Sequence, residues 1–132
     1  MRCQKGKPTK KAAEFNALQL LVKTLPKVTA EEFLALWEEF EDHLTVEAKV
    51  AQATDKLEVI VQHNIAGIGT WDENGLLLNP YYKTDYFNFN QFLRDLKDQI
   101  DEETIQAIKT AGKFNLMQSE HQKMYLSLRN KR

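Results

Sequence analysis

The sequence predicts an all-α protein, a helical bundle, and three observations lead to this prediction. Apolar residues recur at spacings of three and four along most of the 132 residues, as on one face of a helix. Proline, glycine and capping residues divide the chain into helix-sized pieces. The hydrophobic fraction of 42% and the charged fraction of 28% are ordinary for a globular chain of this length, so one domain is expected.

The first two helices are separated by a proline. Helix one is predicted over residues 10–25, where Pro26 ends it. Helix two is predicted over residues 30–42, with Thr29 and Glu32 as a capping box. The apolar faces are Ala12, Phe15, Leu18, Val22 and Leu25 on the first helix, and Phe33, Trp37, Phe40 and Leu44 on the second.

The third helix is predicted over residues 46–65, with Thr45 as its N-cap, and Gly67 and Gly69 end it. Its core stripe is Val46, Val50, Ala53, Leu57 and Ile60. The pattern then breaks over residues 66–87, where Asn74-Gly75 is a hairpin-type turn signal. This segment is predicted to be a long ordered loop or a short β-ribbon.

An aromatic patch at the end of this loop consists of Tyr81, Tyr82, Tyr86, Phe87 and Phe89. Such a patch can stack on bases or sugars, or pack against helices or a partner. Packing is the favoured interpretation, because Lys83 is the only basic residue interleaved with these rings.

The remaining chain is predicted to be helical. Helix four covers residues 89–100, with Asn88 as its cap and with Phe92, Leu93 and Leu96 facing inward. Asp101 is predicted to cap helix five, which carries Ile105 and Ile108 and ends near Gly112. A last amphipathic piece over residues 116–128 carries a stripe of Met117, His121, Met124 and Leu128. The predicted organisation is a disordered basic N-terminus (1–8), a single helical domain (9–128) and a basic tail (129–132).

Composition excludes several classes of function. The net charge of −1 provides no general attraction to nucleic acid or to an anionic membrane. The single cysteine, Cys3, cannot form an internal disulfide and suits a reducing compartment. Cys3 and the lack of any apolar run of membrane-span length predict a cytoplasmic location without a membrane partner. The near-zero net charge makes nucleic acid the less favoured partner.

Asp55 is the most informative residue, because it lies in the middle of the strongly helical third segment. Aspartate is a poor residue for a helix interior, and its burial is costly unless it is paired or binds a metal. Without a metal, we expect Asp55 to be partly exposed or paired with a cation such as Lys56.

The segments LWEEFE (36–41) and TVEAKVAQATDKLEVIVQHN (45–64), followed by Thr70-Trp71 and Phe92-Leu93, resemble a known family. They resemble the C-terminal half of HD-domain metal-dependent phosphohydrolases, in particular the bacterial 5'-deoxynucleotidase-like group. The resemblance covers about residues 10–108. It implies an all-helical fold and a divalent metal bound by a His, a consecutive His-Asp pair and a final Asp, which Asp55 matches.

The other ligands that the resemblance implies are not found in this sequence, since none of His43, His63 and His121 is followed by Asp. One carboxylate does not bind a catalytic divalent ion, which needs about three protein ligands. The expectation is a truncated HD-domain-like protein with no catalytic residues or bound cofactor of its own. Asp55 is its one metal-ligand candidate, and Mn²⁺, Co²⁺ or Mg²⁺ binds only if another chain completes the site.

Two other functions remain open. The chain is alternatively a helical protein-interaction module, or a nucleotide or nucleic-acid binder that uses the aromatic patch and the basic termini. A homodimer is expected, because Leu20 and Leu21 on helix one, and Val59 and Val61 on helix three, lie beside the main apolar stripes. Large exposed apolar surfaces are rare on soluble monomers. The competing way to cover them is for the aromatic patch to fold back as a lid.

Overall fold

The structure, a computed structural model, describes residues 9–130 and confirms the all-α prediction. Within this range there are helices and turns but no strand. The six α-helices are α1 (Lys10–Val22), α2 (Lys27–Asp42), α3 (Val46–Ala66), α4 (Glu73–Leu78), α5 (Gln91–Thr110) and α6 (Ser119–Arg129). Short 3₁₀ turns lie at Ile68–Thr70, Thr84–Phe87 and Phe114–Leu116. The predictions for residues 1–8, and for 131–132 of the basic tail, fall outside the described residues.

The chain forms two compact units, one ending at Ala48 and the other beginning at Lys49. In the first unit α1 packs on α2, and the rings of Phe15 and Trp37 lie 5.2 Å apart between their centroids. The single-domain organisation stays a prediction.

The predicted capping box of α2 is wrong. The helix begins at Lys27, with Pro26 in the N-cap position and no side-chain cap, and the Pro26 carbonyl accepts the first helical hydrogen bond from Ala30. Thr29 therefore lies within the first turn and cannot cap the helix. Proline is well suited to this boundary because its fixed φ and missing N–H cost little there. The helix ends at Asp42, and the residue after it, His43, has a left-handed φ of 54°.

The prediction for α3 is confirmed at both ends. The Thr45 hydroxyl accepts a hydrogen bond of 3.1 Å from the Ala48 N–H, which is the predicted N-cap. Gly67, at φ 84°, follows the last residue of the helix. The predicted core stripe is only partly buried, because Ala53 and Ile60 are fully enclosed while Val46 and Val50 are exposed.

The β-ribbon predicted for residues 66–87 is absent from this described segment. Asn74-Gly75, the hairpin signal, lies inside the short helix α4. Asp72 caps this helix, since its Oδ1 accepts a hydrogen bond of 2.8 Å from the Gly75 N–H. The cap at Asp72 stabilises the following residues as a helix, and they therefore do not form the hairpin turn.

The predicted break at Asp101 is also wrong, because α5 runs without interruption from Gln91 to Thr110. Its cap is Asn90 rather than Asn88, and the Asn90 side chain accepts a hydrogen bond of 3.1 Å from the Leu93 N–H. Phe92, which was predicted to face inward, is 72% exposed. The helix therefore begins two residues later than predicted, and Leu93 and Leu96, the other two residues predicted to face inward, are half-buried.

The main core lies in the second unit and joins α4, α5, α6 and the connecting turns. Its buried members are Leu76, Tyr81, Ile105, Ile108, Met117 and Tyr125. The stripe predicted for α6 is partly wrong, since Tyr125 is buried while Met124 and Leu128 are exposed. No helix in the described range is long and apolar enough to cross a membrane.

Candidate functional site

Asp55 lies on the exposed side of α3, and its side chain is 58% exposed. The Lys56 Nζ donates a hydrogen bond of 2.8 Å to its Oδ2. This hydrogen bond raises the pKa of Lys56 above its ordinary value, and partial burial of the lysine only partly opposes the effect. The expected exposure and pairing of Asp55 are both confirmed.

Lys56 connects this carboxylate to the aromatic patch. Its Nζ lies 5.7 Å from the centroid of the Tyr86 ring, and the Lys83 Nζ lies 5.9 Å from the same centroid. Both distances allow a cation–π attraction. The local arrangement is therefore a surface ion pair beside a tyrosine ring, in which the lysine is already engaged on two sides.

The residues around Asp55 do not by themselves fit a metal ion. Nowhere in residues 9–130 do three or more His, Cys, Asp or Glu side chains gather in a group that could bind one. A divalent ion in a catalytic site needs about three protein ligands. Asp55 provides one, and that one faces a lysine ammonium, which competes with a cation for the carboxylate.

The three histidines occupy different elements. His43 follows α2, His63 lies in the last turn of α3, and His121 lies in the first turn of α6. The His121 ring packs 5.6 Å from the Tyr81 ring, and its burial lowers the pKa of His121. This placement suits packing, as expected of a histidine on an apolar stripe.

The aromatic patch packs mainly inward, which confirms the favoured interpretation for its central residues. Tyr81 and Phe87 are buried, Tyr82 and Tyr86 are half-buried, and Phe89 is exposed. Tyr81 has a left-handed φ of 59°, which is unusual for a bulky residue and indicates local backbone strain. The surrounding packing must therefore over-determine this conformation.

A buried ion pair on α5 was missed by the sequence reasoning. Lys97 and Asp101 are both almost completely buried, and the Lys97 Nζ lies 2.5 Å and 2.6 Å from the two carboxylate oxygens. The Lys97 Nζ also lies 5.7 Å from the Phe87 ring centroid. The available signal was the spacing of four residues between opposite charges on one helix.

Burial dominates the electrostatics of this pair. It raises the pKa of Asp101 to about 6 and lowers the pKa of Lys97, in both cases against the attraction between the two charges. A backbone hydrogen bond from Tyr81 also reaches Asp101. The pair therefore joins α5 to the strained segment at Tyr81 and Phe87, which is a structural role.

A comparison with protein families shows to which family the chain belongs. The family model described as HD domain matches residues 1–107. The chain belongs to the HD-domain family. The matched residues include Asp55 and most of α5. No curated protein and no solved structure matches the chain significantly.

Proposed function

We propose that this chain is an HD-domain protein of the 5'-deoxynucleotidase-like group that does not hydrolyse phosphate esters by itself. The remaining metal ligands would come from outside these residues, either from a preceding segment or from another chain. In that assembly Asp55 would provide one ligand to Mn²⁺, Co²⁺ or Mg²⁺, and the ion would supply Lewis-acid chemistry for hydrolysis.

The observation that carries this proposal is the state of Asp55. It is the one residue that matches a ligand of the resembled family, and it is largely exposed and bound to Lys56. A metal would have to displace the lysine from the carboxylate. Three further ligands would also have to approach the same side of α3, and the resemblance assigns these to a His and a His-Asp pair.

A phosphatase screen tests the proposal. The purified chain is incubated with deoxynucleoside monophosphates and Mn²⁺, Co²⁺ or Mg²⁺, and phosphate release is measured. We expect no metal-dependent turnover above background, and the same result for Asp55→Ala. Glu58→Ala is the matched control, because Glu58 is another exposed acid on α3. Turnover that Asp55→Ala abolishes and Glu58→Ala retains would overturn the proposal.

A second candidate function, a helical interaction module, is supported by the surface of the first unit. Leu20 and Leu21 on α1 are 64% and 68% exposed. Large apolar residues on α2 are exposed as well: Val28, Phe33 and Leu36. An apolar surface of this kind favours association with another chain. We propose a second copy of this chain as the partner, in a cytoplasmic homodimer.

A further inference from the structure

His121 connects the beginning of α6 to the segment around α4. It lies in the first turn of α6, and the centroid of its ring is 5.6 Å from that of the Tyr81 ring, with a tilt of 55° between the two planes. A backbone hydrogen bond from the ring also involves Leu77 of α4. His121 is therefore a residue through which α6 docks on α4 and on Tyr81.

One nitrogen of this ring has no partner. The His121 Nδ1 is shielded from solvent, and no group among the described residues forms a hydrogen bond with it. A neutral imidazole can leave this nitrogen without a proton, whereas the imidazolium carries a proton on both nitrogens. A proton on Nδ1 would then be a buried donor without an acceptor, which is costly. The docked position therefore favours the neutral ring.

The position of His121 within its helix acts in the same direction. The helix begins at Ser119, so His121 is its third residue. The N-terminal turn is the positive end of the helix dipole, where a cationic side chain is unfavourable. Both the burial of Nδ1 and the helix dipole therefore disfavour an imidazolium while α6 is docked.

The charged and polar groups around the ring come from three elements. Burial lowers the pKa of His121, and the Lys97 ammonium on α5 acts in the same direction. Glu120 in α6, the Leu77 backbone on α4 and the Tyr81 ring favour the charged form, but they do not overcome burial. The balance of all these groups keeps the docked ring neutral.

We propose that His121 is a pH switch for α6, in which the neutral ring holds the beginning of the helix against Leu77 and Tyr81 and protonation releases it. Release would uncover Tyr81, which is held at a left-handed φ of 59° and belongs to the buried core of the second unit. The HD-domain match ends at residue 107, before α6 begins. The switch is therefore independent of Asp55 and of any metal bound there.

The direction of the effect follows from the two states of the ring. A released histidine has the ordinary pKa of about 6.5, and the docked one has a lower pKa. Docking is therefore at full strength above about pH 6.5 and weakens as the pH falls below this value. A pKa difference of one unit changes the docking equilibrium by up to about tenfold.

Amide hydrogen exchange of α6, resolved by NMR on the full chain, measures its release. We expect the protection of the α6 amides, corrected for their intrinsic exchange rates, to fall at least about fivefold between about pH 7.5 and about pH 5. His121→Gln keeps a polar side chain that does not titrate, and it should abolish this fall. His43→Asn is the matched control and should retain it, because asparagine tolerates the left-handed φ of residue 43.

An NMR titration of the His121 imidazole in the wild type provides a second measurement. The ring should titrate below the ordinary value of about 6.5. This result does not require any variant, so it decides the proposal even if His121→Gln fails to fold.

Three outcomes would each overturn the proposal. They are an α6 protection that does not change with pH, a His121 ring that titrates at or above its ordinary pKa, and a fall in protection that persists in a folded His121→Gln variant. The last outcome would assign the pH dependence to another group, of which Asp101 is the nearest buried candidate because it accepts a backbone hydrogen bond from Tyr81.

Discussion

Asp55 and Asp101 both lie inside helices, yet their surroundings differ completely. Asp55 is exposed and accepts a hydrogen bond from the adjacent Lys56. Asp101 is enclosed and binds Lys97, which is buried as deeply. The energetic cost of burying a charged side chain therefore applies to Asp101 and not to Asp55. Asp55 is free of this constraint and can serve a surface role.

Asp55→Asn should leave the stability of the chain almost unchanged. An exposed ion pair contributes little because water and salt screen it, so the free energy of unfolding should change by no more than about 0.5 kcal/mol. Urea unfolding followed by circular dichroism measures this, with Glu58→Gln as the control on the same helix. A loss of several kcal/mol in Asp55→Asn alone would show that this carboxylate has a structural partner.

At the scale of the element, α5 explains how the aromatic patch is fixed. Its Lys97 faces the Phe87 ring, and its Asp101 accepts a backbone hydrogen bond from Tyr81. The Thr104 hydroxyl, one turn further on, lies 3.0 Å from the Asn64 Oδ1 of α3. One face of α5 thus organises both the preceding segment and the neighbouring helix.

Breaking the buried pair should be far more harmful than replacing it. Asp101→Ala leaves the Lys97 ammonium buried without a partner and should lower the free energy of unfolding by about 3–5 kcal/mol. The double change Lys97→Met with Asp101→Leu should be neutral, or stabilising by up to about 4 kcal/mol. Urea unfolding compares the two.

The exposed pair Lys10–Glu14 provides the control for this experiment, since it has the same spacing of four residues on α1. Glu14→Ala should change the free energy of unfolding by less than about 0.5 kcal/mol. If Asp101→Ala has an effect as small as Glu14→Ala, the pair is not buried in solution.

The buried pair should also make stability depend on pH. The pKa of Asp101 is raised from 3.8 to about 6 in the folded chain, so the folded state binds this proton more tightly than the unfolded state. The resulting stabilisation is complete below about pH 4 and is lost as the pH rises through about 6. We expect the wild type to lose stability over this range relative to the Lys97→Met/Asp101→Leu variant.

Unfolding of both proteins at several pH values between 4 and 7 provides the measurement. Because the variant lacks the titrating group, the difference between the two proteins isolates it from the other carboxylates. A difference that stays constant, or that moves in favour of the wild type as the pH rises, would contradict the raised pKa of Asp101.

The sequence predicted both boundaries of α3, which depend on local chemistry. The start of α3 follows from the Thr45 hydroxyl, and its end follows from Gly67 at positive φ. Asp101 was wrongly predicted to be a cap, because an aspartate that satisfies a buried lysine is identical in sequence to one that satisfies helix N–H groups. Whether such an aspartate caps a helix or pairs with a lysine depends on tertiary burial, which the sequence pattern does not show.

The features of the candidate site also differ in whether the sequence could predict them. Asp55 and its partner Lys56 are adjacent in sequence, so their pairing could be predicted. A recess beside Trp71 could not be predicted, because the residues that line it, from His63 to Asn79, come from three elements. Asn74-Gly75, the pair that was expected to form a hairpin turn, lies in one of these elements, the helix α4.

At the scale of the whole molecule, the chain combines an HD-domain fold with an extensively exposed first unit. The HD-domain match extends over residues 1–107, which include α1 and α2. Few side chains on these two helices are buried, since Val22 is the only fully buried residue that they contribute within the described range. We therefore expect a unit with so little interior to gain stability from a partner surface.

Self-association should therefore depend on α1. Sedimentation velocity across a dilution series should show a dimer that dissociates on dilution. Leu20→Gln with Leu21→Gln should shift this dissociation to higher protein concentration. Phe92→Gln is the control, because Phe92 is equally exposed but lies on α5. A wild-type chain that is monomeric at every concentration and does not bind a hydrophobic dye would rule out the dimer.

The absence of a self-sufficient metal site is the central claim, and direct measurement of Mn²⁺ binding tests it. Free Mn²⁺ is followed by electron paramagnetic resonance as it is titrated into the chain, into Asp55→Ala and into Glu58→Ala. We predict only weak binding, with dissociation constants no tighter than millimolar, that is the same in all three proteins. Stoichiometric binding at micromolar Mn²⁺ that Asp55→Ala abolishes and Glu58→Ala retains would contradict this account.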